Sequence, residues 1–166
     1  MKIFLIGFMG SGKTTIGKKL ANYLKYNFID LDKLIELQAG MSIVEYFELH
    51  GEDAFRRMES DVLQKTDFPE NAIIATGGGT PCFNDNMDWM NENGSVAYLS
   101  LPAKALASRL EHSKTDRPLI RNLKGDELID FISSNLKERE KFYNQAKFVV
   151  SASDLTADRL ALYLNL

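Results

Sequence analysis

Gly7-Phe8-Met9-Gly10-Ser11-Gly12-Lys13-Thr14 constrains this chain more than any other stretch, because it fits G-x-x-x-x-G-K-[ST]. The pattern needs a buried strand before it and a helix after it. Both are legible. Ile3 to Ile6 is an unbroken apolar run, and Ile16, Leu20 and Leu24 recur at fourfold spacing as one helical stripe. Between them the glycines let backbone N–H groups curl around phosphate oxygens without side-chain obstruction. Lys13 is placed to reach the β- and γ-phosphates of a nucleoside triphosphate, and the Thr14 hydroxyl to ligate Mg²⁺. The positive end of the helix dipole favours the same anion. A chance glycine-rich turn has no reason to carry Lys, Thr and both flanks together. The motif predicts nucleoside triphosphate binding and leaves the reaction open.

The rest of the chain alternates short apolar runs with helical patterns, each switch marked by Gly, Pro or Asn. Strands are predicted at 27–30, 72–75, 96–99 and 148–150, after the first at 3–6. Ser42-Ile43-Val44-Glu45 has the form of a capping box and opens a helix toward His50. Further helices are expected over 52–65, over 84–93 with Gly94 as a left-handed cap, from Pro102, over 126–143, and at the end around Leu160 and Leu164. Parallel strands need crossover connections, so strands alternating with helices imply a parallel sheet covered on both faces. The expectation is an α/β fold: a three-layer α/β/α domain with a five-stranded parallel sheet.

Composition narrows the function. The 166 residues are 45% hydrophobic and 26% charged, which suits one domain with a real core and excludes disorder or a small disulfide scaffold. A net charge of −3 argues against binding nucleic acid through bulk electrostatics. Cys82 is the lone cysteine, so neither an intrachain disulfide nor a cysteine metal cluster can form. The apolar opening stops at Gly7 with no small-residue cleavage site behind it, and no stretch approaches the ~20 apolar residues of a membrane span. A cytoplasmic protein is expected. No Asn-Lys-x-Asp guanine-reading motif occurs, and the strand at 72–75 ends in Thr76-Gly77-Gly78-Gly79 without a carboxylate. GTPases and motor-type ATPases are therefore disfavoured, and a compact kinase remains.

Candidate acceptor residues follow the second strand. Asp30 and Asp32 leave its C-terminal end, the edge where parallel sheets bind ligands. Strand alternation would turn both to one side. Beside a metal-bound phosphate such a carboxylate anchors the ion; beside a hydroxyl it orients the group and accepts its proton. Alternatively Asp32 caps a helix beginning near Lys33. Arg56 and Glu59, three apart on a predicted helix, form either a surface ion pair of little value or a guanidinium fork held for a carboxylate. Spacing leaves these alternatives open.

The chain resembles shikimate kinase, from Lys2 to the last helix. The likeness rests on GFMGSGKTT at 7–15, FIDLD at 28–32, FRRME at 55–59, TGGGT at 76–80, RPL at 117–119, and Arg139 four residues before Tyr143. It implies a P-loop kinase that transfers the ATP γ-phosphoryl group to the 3-hydroxyl of shikimate on the route to chorismate and aromatic amino acids, with Mg²⁺ as cofactor. Gly10, Ser11, Gly12, Lys13, Thr14, Thr15, Arg109 and Arg117 are the implied ATP-binding residues, Arg109 by stacking on adenine. Thr14 holds the metal, and Asp30 helps it through water. Asp32 holds the shikimate hydroxyls and acts as base or orienting group. Arg56 and Arg139 grip the carboxylate, Glu59 steadies Arg56, and Gly78 and Gly79 offer backbone N–H groups. Arg117, in a lid over about 112–123, covers the transferring group, and a helical segment over about 33–61 carries the acceptor. One domain over 1–166, working as a monomer with small-molecule substrates and with neither nucleic acid nor membrane, completes the expectation.

Another small-acceptor kinase, such as a gluconate or nucleoside monophosphate kinase, would share the first motif but lack the combined set. A non-catalytic ATP-binding module would need no acceptor pocket. Arg139 could also be a solvated helix charge. His50 and His112 suggest no metal site, Cys82 reads as a packing residue, and Trp89 as core or rim.

Overall fold

In the computed structural model, which describes residues 1–166, five strands form one all-parallel sheet. They are β1 (Lys2–Ile6), β2 (Asn27–Asp30), β3 (Ala72–Ala75), β4 (Ser95–Ser100) and β5 (Phe148–Ser151), in the order β2-β3-β1-β4-β5. The helices are α1 (Lys13–Leu24), α2 (Leu31–Ala39), α3 (Ile43–Lys65), α4 (Asn86–Asn93), α5 (Ala103–Glu111), α6 (Gly125–Tyr143) and α7 (Ala157–Tyr163). The expected α/β architecture is the one observed. β1 and β3 sit inside the sheet and are largely apolar because both faces are covered, while the edge strand β2 has no fully buried residue and the edge strand β5 alternates with exposed positions.

Strand order and right-handed crossovers place the helices. The chain leaves β1 in one direction and every later strand in the other, so α1 lies on the opposite face from α3, α4 and α6. Helix α7 packs beside α1, and α5 packs on α6. The reversal creates a crevice between the C-terminal ends of β1 and β3, where ligands bind in open parallel sheets. Thr76 ties the two loops there: its N–H and its hydroxyl both donate to the Leu5 carbonyl, at 3.1 and 3.2 Å.

The Ser42–Glu45 capping box forms with both of its hydrogen bonds. Its helix and the one expected over 52–65 run on as α3 through a kink at Gly51, whose φ of 81° is left-handed. Three expectations need correction. Gly94 is not a left-handed cap: its φ of −178° is extended, and it is glycine because a Cβ would lie 2.6 Å from the Lys2 carbonyl oxygen. Pro102 is the cap of α5 rather than its first residue. The helix after β2 starts at Leu31, and Asp30 caps it by accepting from the N–H groups of Asp32 and Lys33. Asp32 is thus a first-turn helical residue, so strand alternation does not govern where it points. No helix is long and apolar enough to cross a membrane.

Candidate active site

Loops after β1, β2 and β3 and the segment after α5 enclose a cleft of about 950 Å³. Of the expected site residues, Gly10, Ser11, Gly12, Lys13, Thr14, Thr15, Asp30, Asp32, Gly78, Arg109 and Arg117 line it, while Arg56, Glu59, Gly79 and Arg139 do not. The loop over Gly7–Gly12 keeps its curl through positive φ at its three glycines. Lys13 is buried, and its ammonium donates to the carbonyls of Gly7 (2.7 Å) and Phe8 (3.0 Å). Burial pulls its pKa down to about 8, against the attraction of Asp32. Arg109 is fixed across the rim, donating to Ser11 (3.3 Å) and Ala152 (3.1 Å) carbonyls.

Asp30 divides its carboxylate. Oδ1 caps α2, and Oδ2 accepts the Thr14 hydroxyl at 3.1 Å. Asp32, half-buried on the cleft floor, has its carboxyl pushed up to about 6, first by burial and then by the charges of Asp30 and Glu59, with Lys13 opposing. A carboxyl poised there is ionised at neutral pH yet basic enough to take a proton.

Three charged side chains converge on the glycine loop that follows β3. A Cβ on Gly77 would come within 3.0 Å of Asp32 Oδ1, one on Gly78 within 3.2 Å of Arg139 Nη1, and one on Gly79 within 2.7 Å of Arg56 Nη1. The loop is glycine because these groups press on its backbone. Neither the Gly78 nor the Gly79 N–H donates to a protein acceptor. Arg56 is no surface residue: its Nη1 bonds Glu59 Oε1 at 3.0 Å, and Glu59 is only 1% exposed. Glu59 Oε2 accepts the Thr80 hydroxyl at 2.7 Å, and Asn86 holds the Thr80 carbonyl. Arg139 is half-buried as well, over the Phe8 ring at 5.2 Å, so it is not a solvated charge.

Four buried side-chain polar atoms lack a hydrogen-bond partner, and three of them are guanidinium nitrogens: Arg56 Nε, Arg117 Nε and Arg139 Nη1. Arg56 Nε has only the long ion pair to Glu52 Oε1 at 3.5 Å, and buried donors of this kind on three arginines fit an anion-binding site. Sequence reasoning missed Thr80, Asn86 and Phe83, whose ring lies 4.0 Å from the Arg56 guanidinium carbon. Only Thr80 belonged to a recognised motif, and spacing alone could not have joined it to Glu59. His50 lies against the Tyr46 ring, and Trp89 packs edge-on to Phe4. Burial raises the Cys82 thiol to about 11, in keeping with packing rather than reactivity.

A glycine-rich loop running into Lys13 and Thr14 at the switch point of a parallel sheet, with Asp32 and Arg117 lining the same cleft, is the arrangement of a P-loop kinase, an ATP-dependent phosphotransferase. The sequence model of the family described as Shikimate kinase matches residues 9–164. The shikimate kinase of Bacteroides fragilis is 44% identical over 155 residues, covering 93% of this chain and 87% of that protein. A crystal structure of shikimate kinase from Bacteroides thetaiotaomicron superposes with a TM-score of 0.95 at 40% identity, covering 100% of this chain and 99% of that one. Shikimate kinase from Acinetobacter baumannii, solved in complex with shikimate, gives 0.83 at 34% identity, over 99% and 93% of the two chains. This chain belongs to the shikimate kinase family.

Proposed function

We propose that the protein transfers the γ-phosphoryl group of ATP to the 3-hydroxyl of shikimate, giving shikimate 3-phosphate and ADP. The observation that carries this reading is the convergence of Asp32, Arg56 and Arg139 on one glycine loop beside the phosphate cradle. Arg56 and Arg139 offer donors from two sides to one carboxylate, and the buried Glu59 keeps Arg56 from swinging away. Asp32 accepts the acceptor hydroxyl, aligns its oxygen with the γ-phosphorus and takes its proton as the new bond forms.

On the donor side, Lys13 exchanges its two loop carbonyls for phosphate oxygens. The N–H groups from Gly10 to Thr15 cradle the polyphosphate, Gly78 and Gly79 donate to the γ-phosphate and acceptor, and Arg109 stacks on adenine. Arg117 covers the transferring group, where its cationic charge meets the charge that develops in the transition state. The Thr14 hydroxyl and Asp30 Oδ2 are adjacent hard oxygen donors, which suits Mg²⁺ bound directly by the first and through water by the second. Bound there, Mg²⁺ neutralises phosphate charge and makes the γ-phosphorus more electrophilic.

The whole chain serves as one P-loop kinase domain, with the acceptor-binding helical segment over about 33–61 and a lid over about 112–123. Within the lid only Ile120 is buried, and Asp116 and Arg121 pair on its outer surface. The protein is read as a cytoplasmic monomer serving aromatic amino acid biosynthesis. ADP release from Mg·ATP with shikimate, gluconate or a nucleoside monophosphate as acceptor tests the reading, with phosphorus NMR of the product. Shikimate alone should drive release and give one monophosphate. Equal release with gluconate, or none with shikimate, overturns it.

A further inference from the structure

Tyr143 has no part in the site as described, yet it reaches into it. It is the last residue of α6 and is fully buried, with its ring stacked on Tyr98 of β4 at 4.8 Å between centroids. Its hydroxyl donates to the Gly78 carbonyl, a contact between residues 65 apart in sequence. Arg139 lies one helical turn earlier on α6, and its Nη1 is the group nearest the Cβ position of Gly78. The same peptide is thus held by one residue of α6 and flanked by another.

The peptide unit is planar and trans, so the Gly78 carbonyl and the Gly79 N–H point in opposite directions. Fixing the carbonyl on Tyr143 fixes the Gly79 N–H on the side away from α6. That N–H is one of the two loop donors that no protein acceptor uses. Glycine makes the device necessary: a Gly78–Gly79 peptide has little torsional preference of its own and would otherwise sample several orientations. We propose that Tyr143 is a positioning residue: its hydroxyl sets the Gly78–Gly79 peptide, and its anchorage sets Arg139 against the same loop. One side chain thereby couples Arg139 to the free Gly79 N–H. The groups facing its hydroxyl are Arg139 on α6, Cys82 after the glycine loop and Tyr98 on β4, and burial keeps the phenol protonated as a donor throughout the working pH range.

The proposal rests on the shikimate-phosphorylating reading, and its test has an arm that does not. Tyr143→Phe keeps the ring and its stack and deletes only the donor. In the free protein the ¹H–¹⁵N resonance of Gly79 should shift. In steady-state kinetics kcat should fall roughly tenfold or more, toward the ~100-fold typical of a misplacement near 1 Å, with KM for shikimate raised and KM for ATP nearly unchanged. The pH profile should keep its shape, since the deleted phenol stays protonated across the working range. A variant with wild-type kcat and KM values overturns the proposal even if its melting temperature drops, because that is a packing role. An unmoved Gly79 resonance overturns it too, whatever the kinetics. If the wild-type protein fails to phosphorylate shikimate, the functional reading falls and the resonance still decides the structural claim.

Discussion

Replacing Asp32 by Asn should make the protein more stable and nearly inactive at once. The carboxyl is raised from its ordinary 3.8 to about 6, so the fold favours the neutral acid. That difference corresponds to about 3 kcal/mol, and water in the open cleft reduces the realisable part to about 1–2 kcal/mol. The sign follows from linkage. Between about pH 4 and 6 the folded state holds a proton that the unfolded state has released, so this group's contribution to stability declines as pH rises. Above 6 the protein carries the full cost of an ionised carboxylate held beside Asp30 and Glu59. Asn carries no charge at any pH. The variant should therefore melt about 2–8 °C higher at pH 7 and match wild type below pH 4. Turnover should fall by about 100- to 10,000-fold, the range for losing a general base, and the acidic limb of the kcat/KM profile near pH 6 should vanish. Calorimetry at pH 4 and 7 beside an ADP-release assay gives all of these quantities. A variant no more stable at pH 7 than wild type, or a gain that persists at pH 4, would refute the electrostatic account. Near-normal turnover would refute the role.

Lys13→Met should lose phosphoryl transfer almost completely while circular dichroism stays native, since its buried ammonium bonds only two loop carbonyls; a folded and active variant would remove Lys13 from the chemistry. Arg56→Ala and Arg139→Ala should each weaken shikimate binding by about 2–5 kcal/mol and leave ATP binding unchanged in calorimetric titration; unchanged shikimate affinity in both would contradict the carboxylate grip. Gly79→Ala drives a methyl group to 2.7 Å from Arg56 Nη1, so it should mimic Arg56→Ala in shikimate affinity, and normal affinity would show the loop has slack. Arg117→Ala should lower kcat far more than it raises either KM. Proteolysis near Lys114 in the wild type should slow most with ADP and shikimate together, and a cutting rate blind to both ligands would argue against lid closure.

What the sequence revealed and what it hid divide along a physical line. β2 and β3 are legible to the residue because an apolar run bounded by polar or glycine residues is a local signal. The Gly7–Thr14 loop is legible because its glycines, lysine and threonine form one continuous stretch. Their position after β2 marks Asp30 and Asp32 as candidates, yet alternation does not describe their geometry, because the chain turns helical at Leu31 and the first carboxylate becomes a cap. The ambiguity over Arg56 and Glu59 is of another kind. Two residues three apart on a helix look alike whether they face water or the interior, and only the approach of Thr80, from 21 positions away, makes Glu59 a buried anchor. Tyr143 goes further still, since nothing near it in sequence marks its hydroxyl as the partner of a carbonyl on a distant loop. The N–H groups and the lysine proposed to cradle the polyphosphate lie on one short continuous loop, so they form a motif. The residues proposed to hold the acceptor would have to surround it, so they come from α2, α3, α6 and the glycine loop. Their common origin is visible only when the sheet brings those ends together.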